Sequence, residues 1–190
     1  PGALKKVAEV FSANLKARLV IGQAHIIDEV GESIGELRSR FTTWEDAAVS
    51  PRNSIRQVST FFSRSLFDEL GLLDETLQIA MDTELLIRFT RKYAPLVIED
   101  SLAAFRVQPG AKTASQLLKG YAETDTIRPG LLGNKLLKNR YNLNSANNWL
   151  SILETEHYES AVRKECIMRA IRKYPGIVLK RRFWASLRKI

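Results

Sequence analysis

The sequence has very few of the residues that form disulfide bonds or zinc sites. Its single cysteine, Cys166, excludes an internal disulfide, and one cysteine with two histidines argues against a Cys/His zinc cluster. No run approaches the roughly 20 apolar residues that a membrane-spanning helix needs. The opening segment PGALKKVAEVF has no hydrophobic signal core and no initiator methionine. We therefore expect a cytoplasmic segment of a longer protein.

The surplus of positive charge is confined to the C-terminal end. The chain carries a formal net charge of +8, although its composition is otherwise that of an ordinary globular protein, 45% hydrophobic and 26% charged. Residues 163–190 contain ten Lys or Arg and one acidic residue, so the rest of the chain is close to neutral. A tail of this sign can face a membrane surface, nucleic acid or water.

Up to about Ser115 the hydrophobic pattern predicts an α/β fold. A helix over residues 3–14 precedes the apolar strand ARLVIGQAHII, and Gly31 marks a turn into a hairpin partner, IGEL. SIRQVSTFF is predicted to be a strand, with Ser65 capping the helix that follows it. PLVIED and LAAFRV are predicted to be two short strands after a helix that runs to about Tyr93.

From Gln116 onward only helical periodicity remains. Breaks in the helices are expected at Pro129-Gly130, near residues 142–148 and at Pro175-Gly176. The sequence therefore predicts an α/β part over residues 1–115 and an all-helical extension over residues 116–190.

The segment QIAMDTELLIRF, residues 78–89, places two carboxylates at the start of a helical run. In a structural interpretation, Asp82 caps the helix by accepting the backbone N–H of Glu84 or Leu85, and Glu84 pairs with Arg88 one turn later. In a functional interpretation, the same carboxylate, kept ionised by nearby N–H groups, opens on a cleft as a general base. The local pattern does not separate these two interpretations.

The order of motifs around this pair resembles the C-terminal half of a family-two glycosyltransferase. Members of that family are inverting enzymes that use nucleotide-sugar donors and have the GT-A fold. The resemblance covers residues 1–115 well and the helical tail loosely. It is carried by six motifs in a fixed order. A Gln (Gln57) is followed by a Phe-Phe-x-Arg strand end (Phe61-Phe62-Ser63-Arg64) and a helix ending in Gly (Gly71). A Leu-Asp-Glu turn (Leu73-Asp74-Glu75), an acidic helix start (Asp82-Thr83-Glu84 with Arg88) and an Ala-x-Phe-Arg segment (Ala103-Ala104-Phe105-Arg106) complete the order.

This resemblance implies specific roles for the matching residues. Asp82 would remove the proton from an acceptor hydroxyl, and Arg88 would brace Glu84. Beyond Asp82, the residues expected to contact the nucleotide-sugar donor or the glycan or lipid-linked acceptor are Glu84, Gln57, Phe61, Arg106 and Lys112. Arg106 and Lys112 are the candidates for contacting phosphate. The family also implies a divalent cation, Mg²⁺ or Mn²⁺, for the full-length protein.

The sequence departs from the family pattern in ways that bear on activity. It contains no Asp-x-Asp metal-binding motif and none of the nucleotide-binding strands that precede that motif in the family. Gln108 occupies a position where the family often has a metal-coordinating His. We therefore expect the acceptor-side half of a transferase domain, which binds no cofactor alone and is inactive without a donor-binding half.

The basic tail leaves two interpretations open, and the chain as a whole has two rivals to the transferase. AIRKYPGIVLKRRFWASLRKI combines cations with apolar side chains, which suits a helix lying on an anionic membrane or an ordinary packing helix. These apolar residues are Ile177, Val178, Leu179, Phe183, Trp184 and Leu187. A non-catalytic module that binds nucleic acid is the main rival, but the sequence has no helix-turn-helix or RNP-type signature, so we expect no nucleic-acid partner. A second rival is a purely structural partner that docks with a separate donor-binding subunit. Cys166 and Trp149 are expected to be buried in the core.

Overall fold

The computed structural model describes residues 2–50, 55–108, 111, 116–154 and 158–187, the side chain of Arg182 excepted. It divides into two compact units. The first comprises Pro1–Ala47 and Arg52–Ile127, and the second comprises Ala48–Pro51 and Arg128–Ile190. The α/β class predicted from the sequence is confirmed, and the first unit also takes in residues 116–127.

A mixed sheet organises the first unit. Its strands are β1 (Leu19–Ile27), β2 (Ser33–Leu37), β3 (Thr60–Phe62) and β4 (Leu96–Arg106). β1 pairs in parallel with β4 along most of its length, and it pairs antiparallel with β2 and β3. Because a strand has only two edges, β2 and β3 share the edge of β1 that β4 leaves open, and β1 is the central strand.

Helices α1 (Ala3–Ala13), α2 (Trp44–Val49), α3 (Ser65–Leu70) and α4 (Met81–Lys92) complete the first unit's N-terminal part. Leu85 and Phe89 of α4 pack with Leu19, and Leu86 packs with Ile21. The 3.6-residue period of α4 thus matches the alternation of β1, and one helical stripe covers one face of the strand.

Three expectations for the α/β part need correction. β4 is one strand rather than two, because it follows β1 through an irregular register near Gln23 and Ser101. Only residues 60–62 of the predicted third strand pair with β1, and residues 57–59 form a 3₁₀ turn. Ser65 lies inside α3 and binds Ser63 and Arg18 through its hydroxyl, so it is not the N-cap.

The remaining helices are α5 (Leu117–Leu131), α6 (Lys135–Ser151), α7 (Ser160–Lys173) and α8 (Arg181–Leu187), with 3₁₀ turns at Ile152–Glu154 and Pro175–Leu179. Two of the three predicted breaks are found: α5 ends at Leu131, directly after Pro129-Gly130, and a 3₁₀ turn at Pro175-Gly176 separates α7 from α8. Pro129 is tolerated two residues before the end of α5, where its missing N–H removes a single helical bond. α6 runs unbroken through the asparagine-rich segment, because buried Tyr141, Ala146 and Trp149 hold it.

In the second unit, α6 packs against α7. Arg128 is buried and donates to the backbone carbonyls of Ala48 and Ser50, while Asn144 donates to the carbonyl of Val49 at 3.1 Å. Cys166 is buried, as expected, and burial raises the pKa of its thiol to about 11. Trp149 is also in the core, as predicted.

Candidate functional site

Helix α4 points its N-terminus toward the carboxyl ends of the parallel strands. α4 ends at Lys92 and β4 begins at Leu96, so the end of the helix lies beside the amino end of β4. Because β4 is parallel to β1 and α4 packs on β1 through Leu85, Leu86 and Phe89, the helix runs antiparallel to both strands. Asp82, in its first turn, lies toward the carboxyl edge of the β1–β4 pair, the edge at which open α/β sheets bind ligands.

The Asp82 carboxylate is half-buried, and among the described residues it accepts hydrogen bonds from its own first turn. Its Oδ1 accepts the backbone N–H of Thr83 at 2.6 Å and the Thr83 hydroxyl at 3.3 Å. Burial raises the pKa of Asp82 above its ordinary value, and the bonds from Thr83 oppose this shift without cancelling it. Within the described part of the chain, no lysine or arginine forms an ion pair with this carboxylate.

The expected cap geometry is wrong. Ala80, not Asp82, is the N-cap residue of α4, and the N–H of Glu84 donates to the Ala80 carbonyl at 3.0 Å. Asp82 lies inside the helix, two residues after the N-cap. The N–H groups of the first turn lower the pKa of Asp82, as expected, but the cost of burial outweighs them and the pKa is raised.

Glu123, on α5, supplies the cap that Ala80 cannot. One oxygen of its carboxylate, Oε2, accepts the backbone N–H groups of Ile79 at 2.8 Å, Ala80 at 3.0 Å and Gln78 at 3.1 Å. Burial alone would raise the pKa of Glu123, but these three N–H groups and the charge of Lys119 hold it below its ordinary value.

Sequence reasoning missed Glu123 because it lies 43 residues beyond Ala80. The available signal was the apolar Ala80 at a position where Ser, Thr, Asp or Asn usually satisfies the free N–H groups of a helix. An apolar N-cap indicates that a distant part of the chain provides the acceptor.

The predicted pair of Glu84 and Arg88 is confirmed, and it forms part of a larger contact. Nε and Nη2 of Arg88 donate to the two carboxylate oxygens of Glu84 at 2.9 and 2.8 Å. Its remaining N–H groups donate to the backbone carbonyls of Leu70, Gly71 and Leu72. All five donors of the guanidinium are thereby engaged. Arg88 braces Glu84, as expected, and ties α4 to the end of α3.

Gln57 and Phe61 lie in different surroundings. Gln57 is exposed in the 3₁₀ turn before β3. In the same turn, the hydroxyl of Ser59 donates to the Gly22 carbonyl at 2.8 Å. This turn therefore extends from β3 toward the carboxyl end of β1, the same end as Asp82. Phe61 pairs with Val20, on the sheet face opposite to Phe62, whose ring packs edge-on against Phe89 of α4.

Arg106 ends β4 at the same carboxyl edge. Its Nη1 donates to the backbone carbonyls of Asp28 at 2.9 Å and Glu29 at 2.6 Å, so it holds the β1–β2 turn. The Asp28 carboxylate accepts the N–H groups of the following residues in that turn, including Gly31, whose φ is +97°. Lys112, the other candidate for phosphate, lies outside the described residues.

The described residues do not fit a divalent cation. In these ranges no three His, Cys, Asp or Glu side chains come together as a metal site. Both oxygens of Glu84 are bound to Arg88. Gln108 brings a neutral amide where an imidazole would be a stronger ligand. We therefore derive no chemical step through a metal held by this chain.

A shallow cleft of about 550 Å³ lies at the other edge of the sheet, lined by residues 13–17 and 94–96. These segments precede β1 and β4, so the cleft is at the amino ends of the two strands and away from Asp82. Its lining is mostly aliphatic, with Asn14 and Lys16 as its polar side chains.

The end of the second unit exposes two large apolar side chains beside cations. Leu179 is 85% exposed and Trp184 is 58% exposed, whereas Ile177 and Phe183 are buried. Lys180 and Arg181 are exposed next to them. Of the helices in the described ranges, none combines the length and apolar character needed to cross a bilayer.

No protein-family model matches this chain, and no curated protein matches it either.

Proposed function

We propose that the first unit is the acceptor-side half of an inverting, GT-A-type glycosyltransferase domain, with Asp82 as its general base. The order of motifs from Gln57 to Arg106 supports this assignment. The observation that carries it is the state of Asp82, a half-buried carboxylate at the carboxyl edge of the parallel strands. It forms no ion pair with the described residues, and its pKa is raised.

A structural carboxylate at a helix start normally has the opposite character. Carboxylates that cap N–H groups or pair with cations have lowered pKa values, because those contacts favour the charged form. Glu123 meets that description and Asp82 does not. A raised pKa makes a carboxylate a stronger base, and burial close to the reacting groups reduces competition from water.

In the proposed reaction, Asp82 takes the proton of an acceptor hydroxyl. The hydroxyl oxygen forms a bond to the anomeric carbon of the sugar from the face opposite the leaving group. The bond from that carbon to the nucleoside diphosphate breaks, and the diphosphate departs with the electron pair. A single displacement of this kind inverts the anomeric configuration. The protonated Asp82 then returns its proton to solvent.

The other matched residues support this role indirectly. Arg88 and Glu84 fix α4 against the end of α3, which holds the first turn of the helix in place. Gln57 is exposed toward the same edge as Asp82 and is our candidate for contacting the acceptor. We retain Phe61, Arg106 and Lys112 as candidate substrate contacts, Arg106 and Lys112 for the donor phosphates.

We also propose that the second unit contacts an anionic membrane surface through Leu179 and Trp184. The indole N–H of Trp184 already donates to the Val178 carbonyl at 2.8 Å, so the ring can enter the lipid interface without leaving a donor unsatisfied. Exposed Lys180 and Arg181 match the charge of anionic headgroups. A membrane location suits an acceptor that is linked to lipid.

The test of the proposed function is sugar transfer by the full-length protein carrying Asp82→Asn. The expected result is a folded protein whose release of nucleoside diphosphate, in the presence of donor and acceptor, falls by about 10²- to 10⁴-fold. Undiminished release by this variant would remove Asp82 from the reaction.

A further inference from the structure

The start of α4 is held by a side chain from another helix. Glu123 extends from α5 to the turn that precedes α4, and its carboxylate accepts three successive backbone N–H groups. Asp82 follows Ala80, the last of these residues, by two positions. The contact therefore lies directly beside the proposed base, and Glu123 and the start of α4 both belong to the first unit.

Three convergent N–H groups form a concave site that favours a negative charge. The N-terminus of a helix adds a partial positive charge of about half a unit. An ionised Glu123 neutralises both, because its carboxylate occupies the site. Among the described residues, the half-buried Asp82 carboxylate accepts its hydrogen bonds from Thr83, while these three amides donate to Glu123.

We propose that Glu123 is a positioning residue for the Asp82 carboxylate: by binding the N–H groups of residues 78–80, it fixes where α4 begins and compensates the positive end of the helix. Asp82 can then act as a base, because Glu123 and not Asp82 accepts the N–H groups that precede the helix. The importance of this position rests on the proposed function, but the contact of Glu123 with residues 78–80 does not.

Other charged groups near the start of α4 are either paired or exposed. Glu84 and Arg88 of α4 are paired with each other. Lys119 of α5 lowers the pKa of Glu123. Asp74 and Glu75, in the loop before Leu77, are exposed. None of these groups is a cause of the shift of Asp82, which arises from burial and is opposed by the N–H and hydroxyl groups of Thr83 and the N–H of Asp82 itself.

The experiment is a carboxyl and amide NMR titration of this chain with and without Glu123→Gln. Glutamine keeps the size of the side chain and removes its charge. Glu75→Gln is the matched control, since it removes an exposed carboxylate from the neighbouring loop. We expect Glu123→Gln to move the amide protons of residues 78–80 upfield and to lower the pKa of Asp82 by about half a unit, because the helix terminus is no longer compensated. Glu75→Gln is expected to leave both unchanged.

The unmodified chain provides a second readout that needs no variant. In it, the three amide protons should shift together as Glu123 titrates, and below the ordinary pKa of a glutamate. An Asp82 titration that is identical with and without Glu123, or amide protons that ignore the titration of Glu123, would overturn the proposal.

Activity separates this proposal from the proposed function. In the full-length enzyme, Glu123→Gln should lower kcat up to about 100-fold while KM for the donor stays constant. The acid limb of its pH profile should move to lower pH with Asp82. If Asp82→Asn retained full transfer while the NMR results held, the catalytic role would fail and the positioning of Asp82 would stand.

Discussion

Oε2 of Glu123 lies 3.0 Å from the backbone nitrogen of Ala80, the residue that caps α4. Two carboxylates near one helix start therefore have opposite environments. Hydrogen bonds from amides lower the pKa of Glu123, whereas burial raises that of Asp82. Pairs of acidic groups whose environments drive their pKa values apart commonly divide structural and acid–base roles between them.

The first prediction concerns the cost of ionising Asp82. The pKa of Asp82 is raised in the folded state. The protonated carboxyl group therefore stabilises the fold below the unfolded-state pKa of 3.8, and this stabilisation is lost as the pH rises through the folded-state pKa. Asn keeps an acceptor for Thr83 and cannot ionise. We therefore expect the free energy of unfolding of Asp82→Asn, relative to the unmodified chain, to increase from about pH 3 to pH 7.

Urea unfolding at several pH values measures this difference. A relative stability of Asp82→Asn that decreases over the same range would mean that the folded chain favours the charged carboxylate. Asp82 would then be a structural cap or ion-pair partner, and the base assignment would lose its main support.

The second prediction concerns Arg88. Arg88→Met removes all five donated hydrogen bonds and leaves Glu84, only 13% exposed, without its cation. Breaking a largely buried pair by deleting one partner typically costs about 3–5 kcal/mol, and we expect a loss of that size in the free energy of unfolding. Chemical denaturation at pH 7 measures it.

Lys92→Met is the matched control for Arg88, since it breaks the exposed ion pair of the same helix with Glu69. We expect a far smaller effect, because solvent screens exposed pairs. Comparable losses in the two variants would contradict the assigned role of Arg88. Adding Glu84→Leu to Arg88→Met should recover part of the lost stability.

The third prediction tests the membrane surface. The chain should bind vesicles of mixed neutral and anionic lipid at low salt, with a blue shift of tryptophan emission, and should release them as salt is added. Of the three tryptophans, Trp149 is buried and Trp44 belongs to the first unit, so we assign this shift mainly to Trp184. The pair of changes Leu179→Ala and Trp184→Ala should weaken binding roughly tenfold or more.

Leu72→Ala is the control for this experiment, because Leu72 is similarly exposed and belongs to the first unit. Equal binding by the Leu179/Trp184 variant and the control would contradict the assigned surface. Salt-sensitive binding to duplex DNA without vesicle binding would favour the nucleic-acid module instead.

Local patterns were sufficient for much of the fold. The β-branched, apolar composition of ARLVIGQAHII predicted β1. Asp28 and Gly31 formed the predicted turn, because the Asp28 carboxylate accepts the N–H groups of the turn and Gly31 adopts a positive φ. Gly71, with a φ of +87°, ends α3 as expected. These features depend on neighbouring residues alone.

Features set by distant partners were not predictable in this way. The polar Glu99-Asp100-Ser101 segment indicates a break between strands, but pairing with β1 carries β4 through it. Asn144 and Asn147 suggest a loop, yet their amides donate to the carbonyls of Val49 and Leu143 and fit within α6. At the candidate site, Asp82 and its pairing neighbours were identified from the sequence, whereas Glu123 was recognisable only from its place in the fold.

The most direct test of Asp82 as the general base is to measure nucleoside diphosphate release by the full-length protein carrying Asp82→Asn. Donor and acceptor are present at saturating concentrations, and circular dichroism verifies that the variant is folded. Loss of a positioned general base typically costs about 10²- to 10⁴-fold, and we expect a fall in kcat of that size with little change in KM for the donor. A folded variant that turns over within about twofold of the unmodified protein would contradict the assignment of Asp82 as the base.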